Sequence, residues 1–162
     1  MEGFIRLTAD AFKKGWHERN GGNLTYRVKP EEVEAVKDSL HEVQEWLPIG
    51  NTVPGLAGEY FLVTGSGKYM RNVELAPEEN VALIKIDEKG ENYGLVWGLV
   101  KGGRPTSELP THLAKQDLRQ VWPQVCLQLG PAHLHDRRGH HLPGYQLLHV
   151  PPGLCITTPS GM

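Results

Sequence analysis

Residues 60–68 read Tyr-Phe-Leu-Val-Thr-Gly-Ser-Gly-Lys, five aromatic, apolar or β-branched positions followed at once by a Gly-Ser-Gly turn. That order predicts a short strand from Tyr60 to Thr64 that stops in a tight turn. Downstream, Val81 to Ile86 and Tyr93 to Leu99 flank the polar, glycine-containing connection 87–92, the pattern of a β-hairpin. Upstream, Leu24, Tyr26 and Val28 alternate with Thr25 and Arg27 just after Asn20-Gly21-Gly22, as a half-buried strand after a glycine turn would.

Helical periods separate these strands. Ile5, Ala9, Phe12 and Trp16 recur at steps of three and four across residues 4–19. Pro30 sits where a first helical residue belongs, with Glu31 and Glu32 in the first turn and Val33, Val36, Leu40, Val43 and Leu47 on one stripe, so a helix is expected over 30–47. Residues 48–58 hold two prolines and three glycines and read as a loop. After Gly102-Gly103-Arg104-Pro105, Leu109, Leu113, Leu118, Val121 and Trp122 suggest a helix capped by Thr106 or Ser107, with Glu108 in its first turn. From about Gly130 the pattern breaks: prolines at 131, 143, 151, 152 and 159 and five of the eight histidines fall in chain without sustained period. No internal repeat is visible.

A chain of 162 residues is one ordinary domain, able to bury roughly 70% of its unfolded surface. Hydrophobic residues at 39% and charged residues at 22% suit a folded chain and exclude a disordered one. Seventeen Lys and Arg against 19 Asp and Glu leave a charge of -2 with no basic stripe, so nucleic acid is not an expected partner. No apolar run reaches the ~20 residues of a membrane span and the first residues lack a signal-peptide pattern, so a cytoplasmic protein without membrane contact is expected. Cys126 and Cys155 are too few for a disulfide framework and read as reduced thiols.

Three turns offer chemistry. Asn20-Gly21-Gly22-Asn23 brings two amide side chains and open backbone N–H groups together, which suits an anion but equally a helix C-cap. Thr64-Gly65-Ser66-Gly67-Lys68 lets backbone amides approach a phosphate, although Leu62 and Tyr69 stand where a Walker A loop needs Gly and Ser or Thr; a plain turn after a strand explains it as well. Thr106-Ser107-Glu108 sets two hydroxyls and a carboxylate able to move protons at a helix start, or is an ordinary capped helix with a surface glutamate.

Taken in order, the segments TADAFKKGWHERNGGNLTYRV, FLVTGSGKYMRNVELAPEEN and WGLVKGGRPTSELPTHLA resemble successive stretches of the zinc-dependent class II aldolases, over residues 5 to about 115. The resemblance implies an α/β fold, a three-layer α/β/α arrangement around a largely antiparallel central sheet, here incomplete. It implies that Asn20, Asn23, Ser66, Thr106 and Ser107 bind a substrate phosphate, that Gly22 and Gly67 keep backbone close to it, and that Glu108 is the acid/base. The implied reaction is retro-aldol cleavage of a phosphorylated ketose, L-rhamnulose 1-phosphate, to dihydroxyacetone phosphate and L-lactaldehyde through an enediolate, in a homotetramer. Zinc (Zn2+) is the implied cofactor.

In such enzymes a His-x-His pair on a strand and a later histidine hold the metal. His133-Leu134-His135 has that spacing, and residues two apart on a strand face one side. Its flanks, Gly130-Pro131 and Asp136-Arg137-Arg138-Gly139, are not those of a core strand, and a chance pair in a histidine-rich tail is the competing reading. The expected organisation is a class II aldolase-like part at 1–129 and an irregular Pro/His-rich tail at 130–162, truncated or frameshifted. Two functions follow: a zinc-dependent aldolase, or a catalytically defective fragment or phosphate-binding module without a complete metal site.

Overall fold

The computed structural model describes residues 1–17, 21–119, 125–128 and 154–157. Their strands form one sheet: β1 (Asn23–Val28), β2 (Leu47–Pro48), β3 (Tyr60–Thr64), β4 (Val81–Ile86), β5 (Asn92–Gly98), β6 (Val125–Gln128) and β7 (Leu154–Thr157), in the order β2-β5-β4-β3-β1-β6-β7. Every neighbouring pair is antiparallel except β6 with β7. The expected strand 60–64 and the hairpin of β4 and β5 are present, and β7 is a strand that no sequence period signals. The helices are α1 (Glu2–Lys13), α2 (Pro30–Val36), α3 (Met70–Val73), α4 (Pro77–Asn80) and α5 (Leu109–Arg119).

The central strands are apolar on both faces, so the sheet must be covered twice. Phe61 and Val63 of β3 and Ala82, Ile84 and Ile86 of β4 face one cluster, closed by Val53, Leu56, Leu109 and Leu113. Leu62, Val81 and Leu83 face the other, closed by Phe4 of α1 and by Met70 and Val73 of α3. This gives the helix, sheet, helix layering expected of the α/β class, with α5 on one side and α1 and α3 on the other.

Two helices differ from their periods. In α1 the buried positions are Phe4, Thr8 and Ala11, while Phe12 is 42% exposed. The expected stripe was one residue out of phase, since a single turn of apolar spacing fits neighbouring faces almost equally. The helix also stops at Lys13: Gly15, at φ +69, donates to the Phe12 carbonyl at 2.8 Å and Trp16 N to Ala11 O at 2.9 Å. That paired closure with a left-handed glycine is a Schellman motif.

The helix expected over 30–47 ends at Val36, tightens into a 3-10 turn at Lys37–Ser39 and becomes extended at Leu40. Its first turn is as read, with Glu32 Oε2 accepting from Lys29 N at 2.9 Å. None of its residues is fully buried, however: Val33 alone packs on the second cluster while Val36 is 44% exposed, so tertiary packing adds little to a seven-residue helix that is marginal alone. The apolar residues beyond it are partly buried by extended chain instead: His41 N donates to Val96 O at 3.0 Å, and Leu40 and Val43 pack on the second cluster. Val43 lies where a side chain on Gly94 would be, 2.2 Å from an ideal Cβ there.

At the end of the hairpin, β5 carries an extra residue, Val96, between the pairs Leu83↔Trp97 and Ile84↔Leu95. Gly98 and Leu99 then take positive φ, +88 and +48. A Cβ on Gly98 would stand 2.1 Å from the Val81 carbonyl oxygen, which is backbone and cannot yield. No described helix is long and apolar enough to cross a membrane.

Gly98→Ala should therefore destabilise the fold by about 2 kcal/mol or more, from left-handed strain and the clash together. Urea unfolding of the variant reads this; a loss below about 0.5 kcal/mol would contradict the account.

Candidate functional site

Because β1 and β3 are antiparallel, the start of β1 and the end of β3 lie at the same end of the sheet, with Thr25 opposite Val63. Thr64 is the residue that ties them. Its Oγ1 accepts from Leu24 N at 3.0 Å and reaches Leu24 O at 3.4 Å, while its carbonyl accepts from Thr106 N at 2.9 Å. One step further, Gly65 bridges Pro105 and Ser66 N donates to Arg104 O at 2.8 Å. The three turns singled out in the sequence are thus stitched to one another by backbone bonds and by the Thr64 hydroxyl.

The first turn enters through Gly22, at φ +87, into Asn23, which is buried and whose Oδ1 has no partner among the described residues. Asn20 lies outside those residues. In the second turn most amides are already used: Gly65 N binds Asn80 O, Ser66 N binds Arg104 O and Lys68 N binds Gly65 O. Gly67, at φ +70 and exposed, is the amide those bonds leave, beside the exposed Ser66 hydroxyl. Gly65 itself admits no side chain, since a Cβ would lie 2.7 Å from Leu99 Cδ2 and 2.8 Å from Lys68 Cγ. The Lys68 stem accordingly packs over Gly65.

The third turn runs from buried Thr106 through exposed Ser107 to half-buried Glu108. Thr106 Oγ1 accepts from Glu108 N at 3.3 Å, and the Glu108 carbonyl accepts from His112 N at 3.1 Å. Glu108 is therefore the residue that opens α5 from its N-cap, not a member of its first turn as the sequence suggested. Its carboxyl group sits where the free N–H groups of a helix start favour negative charge.

Asn23, the Ser66–Gly67 tip and the Thr106–Ser107 hydroxyls offer donors of the kind that bind an anion at this end of the sheet, and Glu108 is a carboxylate of the kind that exchanges a proton. Arg104, whose carbonyl is tied to Ser66, has its side chain near enough to Tyr93 to act on it: burial pushes the Tyr93 phenol up, and Arg104 pulls it part of the way back. Among the described residues no group of three or more His, Cys, Asp or Glu comes together to hold a metal ion. His133 and His135 lie outside the described residues.

Sequence reasoning missed Thr64 as the junction and the buried contact of Thr25 with His112 and Gln116. Thr64 reads as the last residue of a strand and the first of the Gly-Ser-Gly turn but not as a junction, because that role needs two partners 40 residues or more away in the chain. His112 and Gln116 carried a usable signal, since polar residues at four-residue steps after Glu108 mark one side of the helix.

A family model described as class II aldolase and adducin N-terminal domain matches residues 2–120. A rhamnulose-1-phosphate aldolase from Mannheimia succiniciproducens is 45% identical over 119 residues, which cover 74% of this chain and 44% of that protein. Another, from Shigella boydii, is 46% identical over 112 residues, 69% of this chain and 41% of that one. Among solved structures, a sugar-phosphate aldolase from Thermotoga maritima matches with a TM-score of 0.52 at 28% identity, covering 74% of this chain and 49% of its own. The chain spans less than half the length of the curated relatives it matches.

Thr64→Val keeps the shape and removes the hydroxyl, leaving the Leu24 N–H without its acceptor in a buried place. A loss of about 1–3 kcal/mol in urea unfolding is expected; a stability equal to wild type would mean that another contact joins the turns.

Proposed function

The chain belongs to the class II aldolase and adducin N-terminal domain family, and from that premise we propose that it carries the phosphate-binding and acid/base half of an aldolase acting on a phosphorylated ketose. One observation carries the reading: the Thr106–Ser107–Glu108 turn is bonded through Thr106 N to Thr64, the same residue that holds the start of β1 beside Asn23. A phosphate bound by Asn20, Asn23, Ser66, Thr106 and Ser107, with Gly22 and Gly67 allowing close backbone, fixes one end of the substrate. Glu108 then has a defined distance to its reacting carbon.

The substrate we propose is L-rhamnulose 1-phosphate, on the strength of relatives that bear that name. In the cleavage direction the carbon-4 hydroxyl gives its proton to water and becomes the aldehyde of L-lactaldehyde, as the bond between carbons 3 and 4 breaks and leaves its electron pair on carbon 3. Glu108 returns a proton to carbon 3, completing dihydroxyacetone phosphate; in the aldol direction it removes that proton. Membership of the class implies a metal cofactor, which we take to be zinc with His133 and His135 among its ligands. A cytoplasmic homotetramer, with residues 1–129 as the aldolase-like part and 130–162 as a distinct tail, completes the proposal.

A second reading is a catalytically defective fragment or a phosphate-binding module without a complete metal site, kept because the chain spans less than half the length of the relatives it matches. The two separate cleanly. For an aldolase, Glu108→Gln should lower kcat by roughly 10²- to 10⁴-fold, and zinc returned to metal-stripped protein should restore turnover. Equal turnover in the Gln variant removes the assignment of Glu108. A purified chain that binds phosphate but holds no stoichiometric zinc and does not turn over favours the module.

A further inference from the structure

The contact between β1 and α5 is polar and wholly buried. Thr25 Oγ1 lies 2.8 Å from His112 Nδ1, and Gln116 Nε2 donates to the same oxygen at 3.0 Å. None of the three residues is more than 1% exposed. Burying three polar side chains is costlier than burying apolar ones of equal size unless they are matched to one another. Leu109 and Leu113 already anchor α5 to the apolar cluster, so adhesion alone does not call for this group.

Its position relative to the site does. Glu108, His112 and Gln116 follow one another at four-residue steps along one side of the helix start and α5. Asn23 and Thr25, two apart on β1, share a face of the sheet. From Thr25 toward Asn23 the strand runs to the end where Thr64 holds both Leu24 and Thr106. From His112 toward Glu108 the helix runs to that same end. A helical turn, about 6 Å for four residues, nearly equals two strand residues, about 7 Å. Fixing His112 on Thr25 therefore fixes the Glu108 turn over Asn23.

We infer that Thr25, His112 and Gln116 form a clamp that positions the Thr106–Ser107–Glu108 turn against Asn23, with His112 a positioning residue that does not itself touch substrate. The inference rests on the proposed phosphate-and-base reading of that turn. A threonine hydroxyl has a single proton. The clamp takes the arrangement in which Gln116 donates into the oxygen and the hydroxyl proton goes to His112 Nδ1, so that the imidazole is neutral with its own proton on Nε2. A proton on Nδ1 would instead make His112 a second donor into the oxygen that Gln116 already uses, and the hydroxyl proton would have to leave the clamp for another acceptor.

The test uses the full chain and two readouts that need no turnover: the nitrogen tautomer of His112 by two-bond proton–nitrogen NMR, and binding of inorganic phosphate followed by phosphorus NMR. Wild type should show Nδ1 unprotonated. Thr25→Val, isosteric but without the hydroxyl, should weaken phosphate binding about ten-fold while remaining folded, and Thr25→Ser should restore it to within about two-fold. If the Val variant does not fold, Gln116→Met carries the same comparison and should weaken binding several-fold. A His112 bearing its proton on Nδ1 in wild type, or unchanged phosphate affinity in a folded Val or Met variant, overturns the clamp. Failure of wild type to bind phosphate overturns the proposed pocket instead, and the tautomer then decides the clamp by itself.

Discussion

Thr64 ends strand β3 with both of its polar groups committed, the hydroxyl to the backbone of Leu24 and the carbonyl to the backbone of Thr106. Each bond in isolation adds on the order of 1 kcal/mol. Their importance is geometric, because residues 24, 64 and 106 belong to segments that close separate loops, and a single residue registers all three, by its side chain on one and its carbonyl on the other. Were that junction lost, Asn23, Ser66 and Thr106 would be related only through the β1–β3 ladder and the Gly65–Pro105 and Ser66–Arg104 backbone contacts. The candidate site is a property of this junction more than of any one of its loops.

The junction in turn depends on close backbone approach around it. Gly65 leaves room for Leu99 and Lys68, and Gly98 for the Val81 carbonyl, so the end of the hairpin can fold down against the end of β3. Leu99, held at φ +48 although it is not glycine, is 4% exposed and packs into the first cluster. The strain there, on the order of 1–2 kcal/mol, is offset by that burial. The apolar core supports the site from beneath: α5, whose start presents Glu108, is seated by Leu109 and Leu113 and registered by Thr25 through His112 and Gln116.

Much of this was legible in the residues. Strands β1, β3, β4 and β5 announce themselves through alternation and glycine turns, and the order of the three turns points to the family by itself. The long helix over 30–47 failed for a physical reason: Leu40 and Val43 have helical spacing, but spacing says only that they are buried, and extended chain laid across Gly94 buries them as well. The phase of α1 was lost similarly, because Phe4 and Ile5 are both apolar and tertiary contact decides between them. What no local reading could supply was the Thr64 junction, since it is made by pairs 40 residues or more apart. Asn20, His133 and His135 fall outside the described residues, so their parts in the site stand as proposals.

The central claim is that the three turns form one phosphate pocket beside Glu108. Backbone amide NMR of the isotope-labelled chain, titrated with inorganic phosphate, tests it most directly, since each turn reports separately. The account predicts saturable shifts that share one binding curve at Asn23, Gly67, Thr106, Ser107 and Glu108. Shifts confined to one turn, or scattered over surface lysines without saturation, would contradict it.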